Sequence, residues 1–211
     1  MYYIFLYTAL FAGILPLSVL FFKKRAFVSK EPIIPFIWLT FIAALYEGIG
    51  VITPLKVGQN YWNQIYSLLE ILTVFYFYFK LFQPRFKMIF LLFFVLLLLT
   101  HIISFYWIDN SSLIAVAVNT TPLTFLVLLG SFWWVRDLFR SDEIQNLWEN
   151  PAFYFVSAFY IYYLVTMPLF LMGSFIFNSN LYFYDFAIVN IMATLILRIL
   201  LTIGVWKMKL A

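Results

Sequence analysis

Seven apolar runs dominate this chain, each long enough to cross about 30 Å of hydrocarbon. They cover roughly 2–22, 32–52, 61–82, 88–108, 113–135, 152–177 and 187–206. Polar or helix-breaking steps separate them: Glu31-Pro32, Thr53-Pro54, Gln83-Pro84-Arg85, Asp109 to Ser112, Ser141 to Pro151 and Asn178 to Asn180. A backbone in hydrocarbon must satisfy its own polar groups, and a helix does so within one segment. The runs are continuous and do not alternate in and out over ten residues, so barrel strands do not fit. The expected fold class is all-α. Residues 1–211 read as one polytopic seven-helix membrane domain, with no room for an extramembrane domain of useful size.

Composition agrees with the runs. The chain is 65% hydrophobic and 10% charged, with a mean hydropathy of +0.99. Soluble domains are about 45–50% apolar and about 25% charged, so a soluble enzyme and a disordered tail are both excluded. Cysteine is absent, which removes disulfides, thiolate metal sites and a cysteine nucleophile. The first run has no basic segment before it; Lys23, Lys24 and Arg25 follow it, the reverse of a cleavable signal peptide.

A net charge of +4 with a pI near 9.2 points to membrane orientation rather than to nucleic acid. Lys23, Lys24, Arg25 and Lys30 follow the first run, Lys80, Arg85 and Lys87 the third, Arg136 and Arg140 the fifth, and Lys207 and Lys209 the last. These eleven fall on one side, with Lys56 alone on the other and Arg198 inside the seventh run. The positive-inside rule then places the N-terminus outside and the C-terminus in the cytoplasm, in a multi-pass protein of the inner or plasma membrane. Tyr2, Tyr3, Tyr61, Trp62, Tyr106, Trp107, Trp133, Trp134 and Trp206 lie near run ends, where interfacial aromatics anchor a bundle. Pro16, Pro122 and Pro168 fall within runs, and each is expected to kink its helix and free a carbonyl that a neighbour must satisfy.

Asn63, Asn119 and Asn190 each lie near the outer end of an odd-numbered run. Each is followed 17 residues on by a basic residue, Lys80, Arg136 or Lys207. A duplicated helix hairpin gives this pattern, and so does topology alone, since such helices begin polar outside and end basic inside.

The functional candidates are the polar groups placed at bilayer depth, where ionisable side chains face a partner or a cavity. Glu47, Glu70, His101 and Arg198 are the ionisable ones, and the matched depth of Glu70 and Arg198 allows an ion pair between runs three and seven. Asn63, Tyr66, Glu70 and Thr73 share one helical stripe, and Asn190, Thr194 and Arg198 share another. Gln64, Ser67, Asn119, Thr120 and Thr121 lie at similar levels, while the inner halves of most runs are aromatic and aliphatic. A polar pocket open outward and closed toward the cytoplasm follows. Its expected ligand-binding residues are Glu47, Asn63, Tyr66, Glu70, His101, Asn119, Asn190 and Arg198.

Catalytic residues cannot be assigned, because no phosphate loop, nucleophile elbow or zinc-protease helix occurs. No cofactor motif occurs either. A metal centre would require Glu47, Glu70 and His101 together, and none is assigned. Arg198 cannot form a retinal Schiff base, and no run carries the arginine ladder of a voltage sensor.

Four stretches carry a resemblance: Leu45-Tyr46-Glu47-Gly48-Ile49-Gly50, Ile65 to Glu70, Asn150-Pro151-Ala152-Phe153-Tyr154, and Asn190 through Arg198 to Lys207. Together they resemble small seven-helix membrane proteins of Bacteroidota-type bacteria that are often associated with two-component sensor kinases. The resemblance covers nearly the whole chain. Its pattern often has lysine where this chain has Arg198, a change that keeps the charge and removes easy proton transfer.

The first functional expectation is a receptor-like sensor or signalling subunit. A small molecule or lipid would enter from outside, and the cytoplasmic loops would report to a signalling partner such as a sensor kinase; the bilayer is the other partner and nucleic acid is not one. The alternatives are a small secondary transporter using intramembrane glutamates, an intramembrane enzyme using Glu47, Glu70 and His101, or a structural accessory subunit.

Overall fold

The computed structural model describes residues 2–23, 31–52, 59–82, 86–108, 113–140, 144–173 and 183–208. Among them the chain is all-helical. The α-helices are α1 (Tyr2–Phe22), α2 (Ile34–Ile52), α3 (Gln59–Leu81), α4 (Lys87–Trp107), α5 (Leu113–Arg140), α6 (Pro151–Leu171) and α7 (Phe183–Lys207). A short 3-10 helix (Ile144–Glu149) lies before α6, inside what the sequence marks as a loop.

Five helices are long and apolar enough to cross a membrane: α1, α4, α6, α5 from Ile114 and α7 from Asp185. In α2 the apolar stretch is shorter, Ile34–Gly50. In α3 the first half carries Asn60, Asn63, Gln64, Ser67 and Glu70, which lowers its hydropathy below that of a lipid-facing helix. The outside of the bundle is apolar: Phe11, Phe22, Met88, Leu92 and Phe132 are among its exposed residues. An apolar belt of this kind suits lipid and not water.

Packing order explains which helices are exposed. α1 packs on α2, α2 on α3, α3 on α5, α5 on α6, α6 on α7, and α7 back on α1. Six helices thereby close a ring, and α4 lies outside it against α3 and α5. That placement leaves α4 with few buried residues, Phe90, Leu97, His101 and Ser104. α7 packs closely on α6 at Gly204, where a Cβ would run into the Phe155 ring.

Local chemistry sets the helix ends. Asn150 caps α6, its side chain accepting from the Ala152 N–H at 3.0 Å, with Pro151 in the first turn where its missing N–H costs nothing. α5 runs beyond the expected end at 135 to Arg140, which places a cation at the negative end of the helix dipole. α6 ends at Leu171, short of the expected 177; residues 174–177 lie outside the described part. The three internal prolines lie inside helices. So do most hydroxyls: Ser18, Thr120, Thr124 and Thr166 each donate to the carbonyl four residues back, which satisfies them without a partner helix.

One long-range cap ties the ends of α1 and α7. Lys23 Nζ donates to the carbonyls of Val205, Trp206 and Met208 at 3.2, 2.5 and 3.0 Å, and lies 5.7 Å from the centre of the Trp206 ring. A cation there answers the last unpaired carbonyls of α7. Lys23→Gln is expected to cost about 0.5–1 kcal/mol and to raise amide exchange in the final turn of α7. Unchanged exchange at 204–208 would show that the cap is ornamental. Lys24, Arg25, Lys30, Lys56, Arg85 and Lys209, six of the twelve basic residues in the orientation count, lie outside the described residues.

Below the cavity described next, the ring is filled with aromatic side chains. Phe36, Phe77, Tyr78, Phe159 and Tyr163 are all but fully buried. Phe36 meets Phe159 edge-on at 4.7 Å, and Phe77 lies 5.3 Å from Phe159. The Tyr78 hydroxyl is bonded to Ser131 Oγ at 2.8 Å, so the core holds no stranded phenol there.

Candidate functional site

Two adjoining cavities open at the end of the ring that carries the chain's N-terminus. The larger holds about 700 Å³ and the smaller about 360 Å³. They share Tyr2, Leu6, Glu47, Phe186 and Asn190. Every wall comes from a helix on that side: the start of α1, the end of α2, the first halves of α3, α5 and α7, and the second half of α6.

The α3 stripe faces the larger cavity as its spacing predicts. Asn63, Tyr66 and Glu70 line it, together with Gln64 and Ser67. Thr73 does not; its hydroxyl donates to the Leu69 and Glu70 carbonyls at 2.8 and 3.2 Å. From α5 come Asn119 and Thr120, and from α7 comes Asn190. The α7 stripe of Asn190, Thr194 and Arg198 lines the smaller cavity. All three asparagines of the 17-residue spacing therefore reach one site.

Arg198 is paired differently from the expectation. Its side chain is 4% exposed, and Nη2 meets Glu47 Oε2 at 3.3 Å, while Nη1 donates to the Ala9 carbonyl at 2.8 Å. The expected Glu70–Arg198 pair is not formed. Matched depth alone cannot settle partners, because the ring places α7 against α1, which lies between it and α2, whereas α3 is further round. Glu47 reaches in from α2 across α1, where Gly13 leaves the opening. A Cβ on Gly13 would meet Ala44 Cβ at 2.6 Å and Arg198 Cζ and Nε at 3.1 Å.

Glu70 instead accepts from the Tyr163 hydroxyl at 2.9 Å. Tyr163 is fully buried and belongs to the aromatic core, so this bond joins the polar cavity to its floor. Two carboxylates thus occupy different environments: Glu47 is ion-paired and its side chain 49% exposed, whereas Glu70 has a neutral hydroxyl partner.

Of the eight expected residues, Glu47, Asn63, Tyr66, Glu70, Asn119 and Asn190 line the larger cavity and Arg198 the smaller. His101 lines neither. It is buried on α4, outside the ring, with its Nδ1 unbonded among the described residues. Glu47, Glu70 and His101 do not form a metal-binding group; among the described residues no three histidine or acidic side chains converge.

Sequence reasoning missed Tyr163, Tyr162 and the role of Trp62. Trp62 reads as an interfacial anchor, yet it stacks on Tyr46 at 4.4 Å in the cavity wall. For Tyr162 and Tyr163 a signal exists: paired tyrosines at mid-run lie too deep to be belt anchors, so their hydroxyls need partners inside the bundle. Comparison with known protein families, curated proteins and solved structures gives no match for this chain.

Proposed function

We propose that the chain spans the membrane seven times, with the N-terminus outside and the C-terminus in the cytoplasm, and acts as a receptor-like sensor. Its cavity takes a small molecule or lipid from the outer side, and its cytoplasmic end reports to a signalling partner such as a sensor kinase. The observation that carries this reading is the polarity of the ring along its axis: a polar cavity of about 700 Å³ at one end and a packed aromatic floor beneath it. Tyr163 links the two, since it bonds Glu70 above and packs 6.5 Å from Phe159 below. A ligand that changes the Glu70 environment thereby bears on the core. No motif for chemistry accompanies the cavity.

A small secondary transporter is the second reading. One observation favours it: a cavity of about 360 Å³ at the opposite end, lined by Glu31, Asn150 and Met208 and roofed by Phe77 and Phe155. Two chambers separated by an aromatic layer suit alternating access.

Cysteine labelling decides between them, and the natural chain contains no cysteine to interfere. Asn63→Cys and Ser67→Cys are expected to react with a membrane-impermeant maleimide added to intact cells, and Phe155→Cys is not. Exclusively cytoplasmic labelling of Asn63→Cys would overturn both the orientation and the outward cavity. Labelling of Ser67→Cys from both faces, together with substrate uptake into vesicles, would favour the transporter.

A further inference from the structure

Glu70 and two buried amide oxygens of the cavity are acceptors of one chemical sense, and they deepen the reading of that cavity as a binding site. Glu47 has its counter-ion in Arg198, and the guanidinium is further committed to the Ala9 carbonyl. Glu70 takes part in no ion pair among the described residues; its partner is a neutral phenol. The Oδ1 atoms of Asn119 and Asn190 are buried with no hydrogen-bond partner among the described residues, and Asn119 is only 2% exposed. Glu70, Asn119 and Asn190 all line the same space.

All three are acceptors. Two nearby hydroxyls are committed to backbone carbonyls: Thr120 donates to that of Val116 at 2.6 Å and Thr194 to that of Asn190 at 2.9 Å. A buried acceptor without a donor bears its full desolvation penalty, so the occupant that relieves it must bring N–H or O–H groups. An anionic occupant would meet Glu70 and two amide oxygens, with Arg198 already paired to Glu47. The walls favour the opposite charge. Trp62 stacks on Tyr46 and lies 6.1 Å from Tyr66, and Tyr162 joins them around the cavity. Such π-faces attract cations, most strongly where water is excluded.

We propose that the cavity binds an organic primary ammonium group. Its charge is set against Glu70, its N–H groups against the Asn119 and Asn190 amide oxygens, and its alkyl part against the aromatic wall. The group has two sources. Phe170 lines both this cavity and an apolar groove of about 700 Å³ that runs along α4 and α5 past Pro122. The ammonium therefore belongs either to a free amine or to a lipid headgroup whose chain lies in that groove.

The test uses the full chain in nanodiscs of phosphatidylglycerol, a lipid whose headgroup carries no amine. Four probes are titrated calorimetrically: n-butylammonium, tetramethylammonium, 1-pentanol and butyrate. Butylammonium is expected to bind saturably, about tenfold or more tighter than tetramethylammonium, which has the charge but no N–H. Pentanol and butyrate are expected not to saturate. Glu70→Gln and Asn119→Leu should each weaken butylammonium binding about tenfold or more while the circular dichroism and elution volume stay unchanged. If phosphatidylethanolamine nanodiscs weaken the apparent affinity, the natural source is a lipid headgroup; if they do not, it is a free amine, and the ammonium chemistry stands in both cases. Tighter binding of butyrate or pentanol, abolished by Ser67→Trp, would leave the cavity as a binding site and overturn the ammonium. Butylammonium binding indifferent to Glu70→Gln and Asn119→Leu would overturn it too, as would no binding by any probe, with the cavity itself then judged by the labelling experiment.

Discussion

Glu47→Ala is expected to destabilise the detergent-solubilised protein by about 3 kcal/mol, whereas Arg198→Met should cost only about 1 kcal/mol. The asymmetry comes from exposure. Removing Glu47 strands a guanidinium that is 4% exposed, with one carbonyl left to hold it. Removing Arg198 leaves a carboxylate whose side chain is 49% exposed and can be hydrated from the cavity. Methionine also keeps much of the arginine's packing volume. The double variant should resemble Arg198→Met, because the stranded charge is gone. Thermal or SDS titration of the four proteins closes the double-mutant cycle. If Arg198→Met is the more damaging single change, the ion pair is not what holds this corner. An additive double variant would mean that the two side chains do not interact.

Gly13→Ala should cost about 1–3 kcal/mol, although it adds a single methyl group and is favoured by helix propensity. The new Cβ would lie 2.6 Å from Ala44 Cβ and 3.1 Å from two atoms of the Arg198 guanidinium. Ala44 has no torsion with which to move aside, so α1 and α2 must separate or α1 must shift. The reciprocal swap sharpens the test. Gly13→Ala with Ala44→Gly removes the Cβ–Cβ collision and should restore most of the loss, leaving the smaller pressure on Arg198. A Gly13→Ala protein as stable as the parent would show that the helices are not in close approach there. A swap no better than Gly13→Ala would place the whole cost on the arginine.

Helix positions were legible in the sequence to within a few residues, because continuous apolar runs and their breakers act locally. So were the faces. The i, i+3, i+7 spacing of Asn63, Tyr66 and Glu70 puts them on one side of α3, and all three line the cavity. The asparagines fared well for the same reason: an amide has no way to satisfy both its groups on its own helix, so it is driven to an interior polar space. Thr73 misled. It shares the α3 stripe, yet its hydroxyl bonds the carbonyls behind it and asks nothing of a neighbour. His101 misled in another way, since its depth matched that of the site while its helix lies outside the ring.

What the sequence alone determined is therefore what one helix can state about itself: its length, its apolar face and the depth of its polar groups. Hydrophobic transfer and backbone satisfaction act within a segment and need no knowledge of neighbours. Which helices meet was decided only in the tertiary structure. Arg198 finds Glu47 because Gly13 lets a guanidinium pass between α1 and α2. Glu70 is left to Tyr163, and α4 is left outside. Depth is a single coordinate along the bundle axis, and a partner is fixed also by the angle around it. That angle is set by the order in which seven helices pack, through close contacts such as Gly204 on Phe155 that no periodicity records.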